Sequence, residues 1–175
     1  LLIDTYGCTH VINSGTCGGM TGEAGILDTV VSEKVCHHDM DPGILTDYHP
    51  YMDSIWYSAD ERLLAAAKAA AKACPEYPVH FGQTVTGEAF IDDHNRAAIK
   101  GELAPLSVDM ETAAAAQVCY AFEIPFLAIR TVTDNPECSG SEAYHANCDR
   151  AGEIAASITR QTVAEWKRLR MPARK

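Results

Sequence analysis

No stretch of this sequence is apolar over the roughly 18–20 residues that a membrane-spanning helix needs. Basic residues are few: 14 Lys and Arg stand against 24 Asp and Glu, a formal charge of -10. That balance argues against a nucleic-acid groove or an anionic membrane surface as a partner. The seven cysteines are odd in number, scattered, and nowhere set as C-x-x-C, so they imply no zinc site. A reduced, cytoplasmic protein is the natural reading of such cysteine usage. The P-loop spacing with its lysine is missing, as is the glycine pattern of dinucleotide-binding turns. There is no internal repeat and no low-complexity tract.

What is present is an ordinary globular composition: 175 residues, 47% hydrophobic and 22% charged, enough for one domain around one sizeable core. Residues 1–6 read as the last turns of an amphipathic helix stopped by Gly7. An α/β fold seldom opens on half a helix, and the sequence starts at Leu1 without methionine, so further residues are expected upstream. A strand over 8–13 leads into a turn of small residues at 14–20, and β-branched residues mark a strand over 27–37. Residues 38–58 read as a long loop with brief ordered turns, the kind of segment that serves a site or an interface. Helices are predicted over 60–73, 95–100, 111–122 and 141–169, and strands over 79–86, 105–108 and 125–133. Strands alternating with helices predict an α/β sandwich of three layers.

Several residues carry chemistry. Arg130 lies in a strand that reads as buried, where a guanidinium needs a carboxylate. Asp134 follows that strand at the carboxyl end, where open α/β sheets place ligands. Thr133-Asp134 ahead of Pro136 also reads as a plain cap or Asx turn. Glu111 opens an alanine-rich helix, where an acidic residue suits the dipole. His37-His38-Asp39 imitates a metal site, but alternate strand residues face opposite ways and no third ligand has the right spacing.

Three segments taken together point to a family: 11–19 (VINSGTCGG), 107–114 (SVDMETAA) and 132–134 (VTD), supported by 87–91 (GEAFI). In this order and spacing they resemble the 5'-methylthioadenosine/S-adenosylhomocysteine nucleosidases of the purine nucleoside phosphorylase/uridine phosphorylase superfamily. The resemblance runs over nearly the whole sequence. It implies one nucleoside phosphorylase-like domain over 1–175: a three-layer sandwich with a central mixed sheet, amounting to the C-terminal three quarters of the family pattern. The first quarter would hold a glutamate that positions the attacking water, for which no residue here substitutes.

The resemblance implies hydrolysis of the bond between adenine and a 5'-thioribose, with an adenine thionucleoside and water as small-molecule partners, and with no cofactor and no metal. Asp134 would protonate purine N7, which requires a carboxyl group neutral far above the usual value of about 3.9. Thr133 would orient it. Glu111 would hold the ribose hydroxyls and oppose the developing cation, Arg130 would lie near the attacking water, and Asp109 reads as structural. Met110 would pack on the ribose, Phe90 would stack on adenine, and Ile91 would read the purine edge through its backbone. Thr16, Cys17 and Gly18 would line the cradle, with Cys17 a small apolar filler rather than a nucleophile. Asn13 stands where the phosphorylases carry a phosphate-binding arginine, which favours water over phosphate. A homodimer through 38–58 is a further implication. Two rivals stay open: another superfamily enzyme acting on futalosine, AMP or a purine nucleoside, and an inactive fragment that binds adenine nucleosides.

Overall fold

In the last strand, β6 (Phe126–Asp134), all nine residues are buried, and the sheet is arranged around it. The computed structural model describes residues 1–48 and 50–170. The strand β1 (Val11–Gly19) runs parallel to β6, and β2 (Thr29–His37) runs antiparallel to it. Beyond β2 come β4 (Val79–Thr86) and β5 (Ser107–Asp109), both joined in parallel, and β5 then meets β1 antiparallel. Five strands therefore close in a ring, β2-β4-β5-β1-β6 and back to β2, with β3 (Tyr57–Ser58) added outside on β2. The mixed sheet matches the expected fold class. Its closure was not legible in the sequence, because long-range pairing leaves no local pattern.

Alternation along β6 divides the core. Leu127 and Ile129 face α2 (Glu61–Ala73) and α5 (Ser141–Arg170), with Leu63, Ala67, Ile154 and Ile158. Phe126 and Ala128 face α4 (Thr112–Ala121), with Ala113, Ala116 and Cys119. A strand sandwiched in this way must be apolar on both faces. In β2, Val31 belongs to the first cluster and Val35 to the second, although even spacing should keep them on one face. A bulge between Ser32 and Lys34 turns the strand over, and there β2 leaves β6 for β3.

Local signals explain the remaining ends. Asp60 caps α2, accepting from the N–H groups of Arg62 and Leu63. Asp92 and Asn95 form a capping box at α3 (Asp93–Leu103). The opening residues form turns that end at Gly7, whose φ is 64°. Residues 38–58 carry only α1 (Gly43–Thr46) and β3, as expected of a long loop; His49 within it lies outside the described residues. Among the described residues, no helix is long and apolar enough to cross a membrane.

One expectation is corrected. Residues 14–19 are not a turn but the second half of β1. The small residues are there because side chains of neighbouring strands lie across the backbone. A Cβ on Gly15 would stand 2.8 Å from Arg130 Nη1, and one on Gly18 would stand 3.2 Å from Asp134 Oδ2. Close approach and a tight turn select the same residue, so the sequence alone does not separate them.

Leu127 is fully buried between the two long helices. Leu127→Ala is expected to lower stability by about 2–5 kcal/mol, seen as a lower urea midpoint with an unchanged slope.

Candidate active site

The ring contains one reversal of direction that matters. The parallel pair β1–β6 meets the parallel pair β4–β5 through the antiparallel contact of β1 with β5. The carboxyl ends of these strands converge there, and a cavity of about 530 Å³ opens between them and the start of α5. Thr16, Cys17 and Gly18 from β1 line it, with Phe90 and Ile91 ahead of α3, Met110 and Glu111 ahead of α4, and Thr133 and Asp134 at the end of β6. The structure thus brings all the sequence-predicted site residues except Arg130 to one wall or another, and Arg130 reaches the same site through Glu111.

Asp134 is 1% exposed. It pairs across the ladder with Gly18 beside a bulge that leaves Thr133 as the extra residue. Burial pushes the Asp134 carboxyl above the usual carboxylate range, while the Thr133 hydroxyl and the Arg96 guanidinium favour the charged form. The Thr133 hydroxyl lies 2.9 Å from Asp134 Oδ1 and 3.1 Å from the Cys17 carbonyl oxygen. A carboxyl group held protonated by the fold contributes stability that is complete at low pH and is lost as pH rises through its raised value.

The Asp109–Arg130 pair organises a second set of bonds. Arg130 is 5% exposed; its Nε lies 3.3 Å from Asp109 Oδ2 and its Nη1 lies 3.2 Å from Glu111 Oε2. Nη1 also donates to the Thr16 carbonyl at 3.1 Å, and Nε donates to Thr112 Oγ1. Asp109 accepts from Thr86 Oγ1 at 2.6 Å, from the N–H groups of Glu111 and Thr112, and from the Thr112 hydroxyl. The start of α4 is therefore held by Asp109, whereas Glu111 occupies the cap position without a side-chain cap bond. Glu111 has a side chain 63% exposed that turns to Arg130 and into the cavity.

Phe90 and Met110 are 43% and 44% exposed, and both line the open cavity. Ile91 is buried, and its ring of neighbours is apolar. Cys17 is buried, and desolvation pushes its thiol well above the usual range, which suits a filler and not a nucleophile. No group of three or more metal-ligating side chains occurs among the described residues.

Two contributions were missed at the sequence level. Tyr144 and His145 line the cavity from the start of α5, and Tyr144 meets Phe90 edge to face at 6.1 Å. Arg96 on α3 reaches to 3.6 Å from Asp134 Oδ2. A signal for Arg96 does exist: it shares the 96, 99, 103 stripe of its helix with Ile99 and Leu103, which face the core.

Comparison with known proteins bears on this geometry. The sequence profile of the phosphorylase superfamily matches residues 1–164. The 5'-methylthioadenosine/S-adenosylhomocysteine nucleosidase of Marinomonas sp. is 38% identical over 166 residues, covering 92% of this chain and 71% of that protein. This chain belongs to the 5'-methylthioadenosine/S-adenosylhomocysteine nucleosidase family of the phosphorylase superfamily. The solved nucleosidase of Neisseria meningitidis, in complex with methylthio-immucillin-A, matches with a TM-score of 0.83 and 27% identity, over 93% of this chain and 72% of that one. Futalosine hydrolase of Helicobacter pylori shares the fold, with a TM-score of 0.82 and 24% identity over 94% of this chain and 71% of that one.

Loss of Asp109 would leave the Arg130 charge buried with only an exposed partner. Asp109→Ala is expected to destabilise the nucleosidase fold by about 3–5 kcal/mol. Glu111→Gln, at a solvent-facing pair, should cost about 1 kcal/mol or less. Equilibrium unfolding of both variants checks the order.

Proposed function

We propose that this chain hydrolyses the N-glycosidic bond of 5'-methylthioadenosine and S-adenosylhomocysteine, releasing adenine and the 5'-thioribose product. The observation that carries the reading is Asp134: a buried carboxyl group at the end of β6, whose acid form burial favours, lining a cavity that Glu111 also lines. Asp134 donates its proton to purine N7 as the bond from C1' breaks, and the bonding electrons leave with the base. Glu111, steadied by Arg130, accepts from the ribose hydroxyls and opposes the positive charge that grows on the sugar. Water adds to C1' and gives up a proton, and Asp134 recovers one from solvent.

Phe90 offers its exposed face to adenine, and the backbone at Ile91 reads the purine edge. Met110 packs on the ribose, with a thioether suited to a sulfur-bearing ligand. Thr16, Cys17 and Gly18 form the floor, where the absence of a Cβ on Gly18 leaves room beside Asp134 Oδ2. Asn13 in place of an arginine supports water, and not phosphate, as the nucleophile.

The decisive assay is adenine release from methylthioadenosine by the full-length protein, with and without phosphate. Release independent of phosphate is expected, and a strict phosphate requirement would make the chain a phosphorylase. Asp134→Asn should lower kcat by about 10²–10⁴-fold without loss of fold. Activity of the parent protein should fall as pH rises through the raised Asp134 value, because the acid form is the working form.

We further infer a homodimer through the 38–58 region. Ile44, Tyr48 and Tyr51 are exposed there, and Val118, Tyr120 and Phe122 are exposed at the end of α4. A groove lined by Pro50, Tyr57, Asp60, Tyr120, Glu123 and Phe126 lies where the 38–58 region meets the end of α4 and the start of β6. Sedimentation should give a dimer mass for the parent protein and a monomer for Phe122→Asp. A monomeric parent would refute the assignment.

A further inference from the structure

Arg96 is the cation nearest the proposed acid, and it comes from a different element of the fold. It is 5% exposed on α3, with Nη2 at 3.6 Å from Asp134 Oδ2 and 3.5 Å from Ser139 Oγ. Its Nη1 donates to the carbonyl of Gly19 at the end of β1. One guanidinium therefore ties together three segments that surround the acid: the end of β1, the turn after β6, and α3 itself. The segment carrying Phe90 and Ile91 leads straight into α3 through the Asp92 cap, so docking of α3 brings the base-contacting residues and the cation together.

We propose that Arg96 is a positioning residue for Asp134, aiming the carboxyl group from behind and supplying the cation that meets the carboxylate left when the proton departs. This rests on the nucleosidase reading given above. A buried acid with nothing but apolar neighbours would hold its proton too tightly to pass it on, whereas one beside a mobile surface cation would lose it to solvent. A buried guanidinium bonded at the same time to Gly19 and Ser139 has a fixed distance to the acid, so its influence is constant.

Other ionisable groups near Asp134 do not replace it. Cys17 on β1 stays a neutral thiol, and Asp109 and Arg130 answer each other, with Glu111. Tyr144 and His145 from α5 line the same cavity. Thr133, beside Asp134 on β6, carries no charge.

The test is the protonation midpoint of Asp134, read from its carboxyl carbon by NMR and assigned by difference with Asp134→Asn, alongside the pH profile of kcat/KM for adenine release. Arg96→Gln should raise the midpoint by about one to two pH units and carry the alkaline limb of the profile the same way. Arg96→Lys keeps the charge but not the double anchorage to Gly19 and Ser139, so its midpoint should lie between those of the parent and the glutamine variant. A folded Arg96→Gln protein with an unmoved midpoint overturns the proposal, since a merely structural role would lower kcat and leave the limb in place. A lysine variant that shifts as far as the glutamine variant also overturns it. Where Arg96→Gln does not fold, Arg96→Lys decides alone: an upward shift of the midpoint supports the proposal and an unmoved midpoint overturns it. If no adenine is released but the carboxyl midpoint responds as stated, the nucleosidase reading fails and the coupling of Arg96 to Asp134 stands.

Discussion

A guanidinium in the middle of a fully buried strand has to be answered, and much of the local architecture is the answer. Arg130 lies in β6, where every residue is buried, so its charge must be met from neighbouring elements. Asp109 meets it at the last position of β5, Thr112 in the first turn of α4, and the Thr16 carbonyl on β1. The same requirement makes residue 15 a glycine, because any Cβ there would strike the guanidinium. A buried ion pair of this kind is a weak source of stability compared with a well-packed apolar pair. Its consequence here is positional: Asp109 also caps α4, so the helix start that carries Met110 and Glu111 is fixed by the group that neutralises Arg130.

Ring closure imposes a second constraint, on the polar groups the strands enclose. Ser32, Thr84 and Ser107 bond in series across β2, β4 and β5 at 2.6 and 2.9 Å, and Thr29 bonds Thr131 between β2 and β6 at 2.8 Å. Hydroxyls suit such an interior because each can donate or accept, which lets a chain of them satisfy itself without charge. Among the described residues, Asp134 Oδ2 differs, being buried without a hydrogen-bond partner and met by Arg96 at ion-pair distance. An unsatisfied buried carboxyl oxygen beside an open cavity is costly unless a ligand completes it, and in the proposed reaction a purine nitrogen is the complementary group.

The sequence carried the elements and most of the site, but not the arrangement that joins them. Strand and helix limits followed from periodicity and caps, as at Asp60, where an acid precedes an alanine-rich run. Asp134, Thr133 and Glu111 were legible because short motifs surround them. The second half of β1 was hidden, since glycines chosen for close approach look like glycines chosen for a turn. The switch of partner in β2 rests on a single extra residue, Glu33, which no local pattern marks between Val31 and Val35. Arg96 was passed over because a short, polar helix reads as surface, although its own spacing with Ile99 and Leu103 turns it inward. Tyr144 and His145 belong to the site only through the way α5 begins beside the end of β6, which is a tertiary fact.

The general acid that we propose has to be comfortable in two states, and the surroundings of Asp134 divide that task. Burial favours the acid form, which has to be present before substrate is cleaved. Arg96 favours the carboxylate, which is what remains afterwards. Thr133 serves both: its hydroxyl can donate to a carboxylate, or it can turn its proton to the Cys17 carbonyl and accept from the protonated acid. Neither influence alone gives a usable acid, since desolvation without the cation would trap the proton and the cation without desolvation would discard it. The bulge at Thr133 brings the three together, because it sets the hydroxyl, the carboxyl group and the Gly18 gap at one level of the sheet. The proposed chemistry thus depends on a register shift of one residue between two parallel strands.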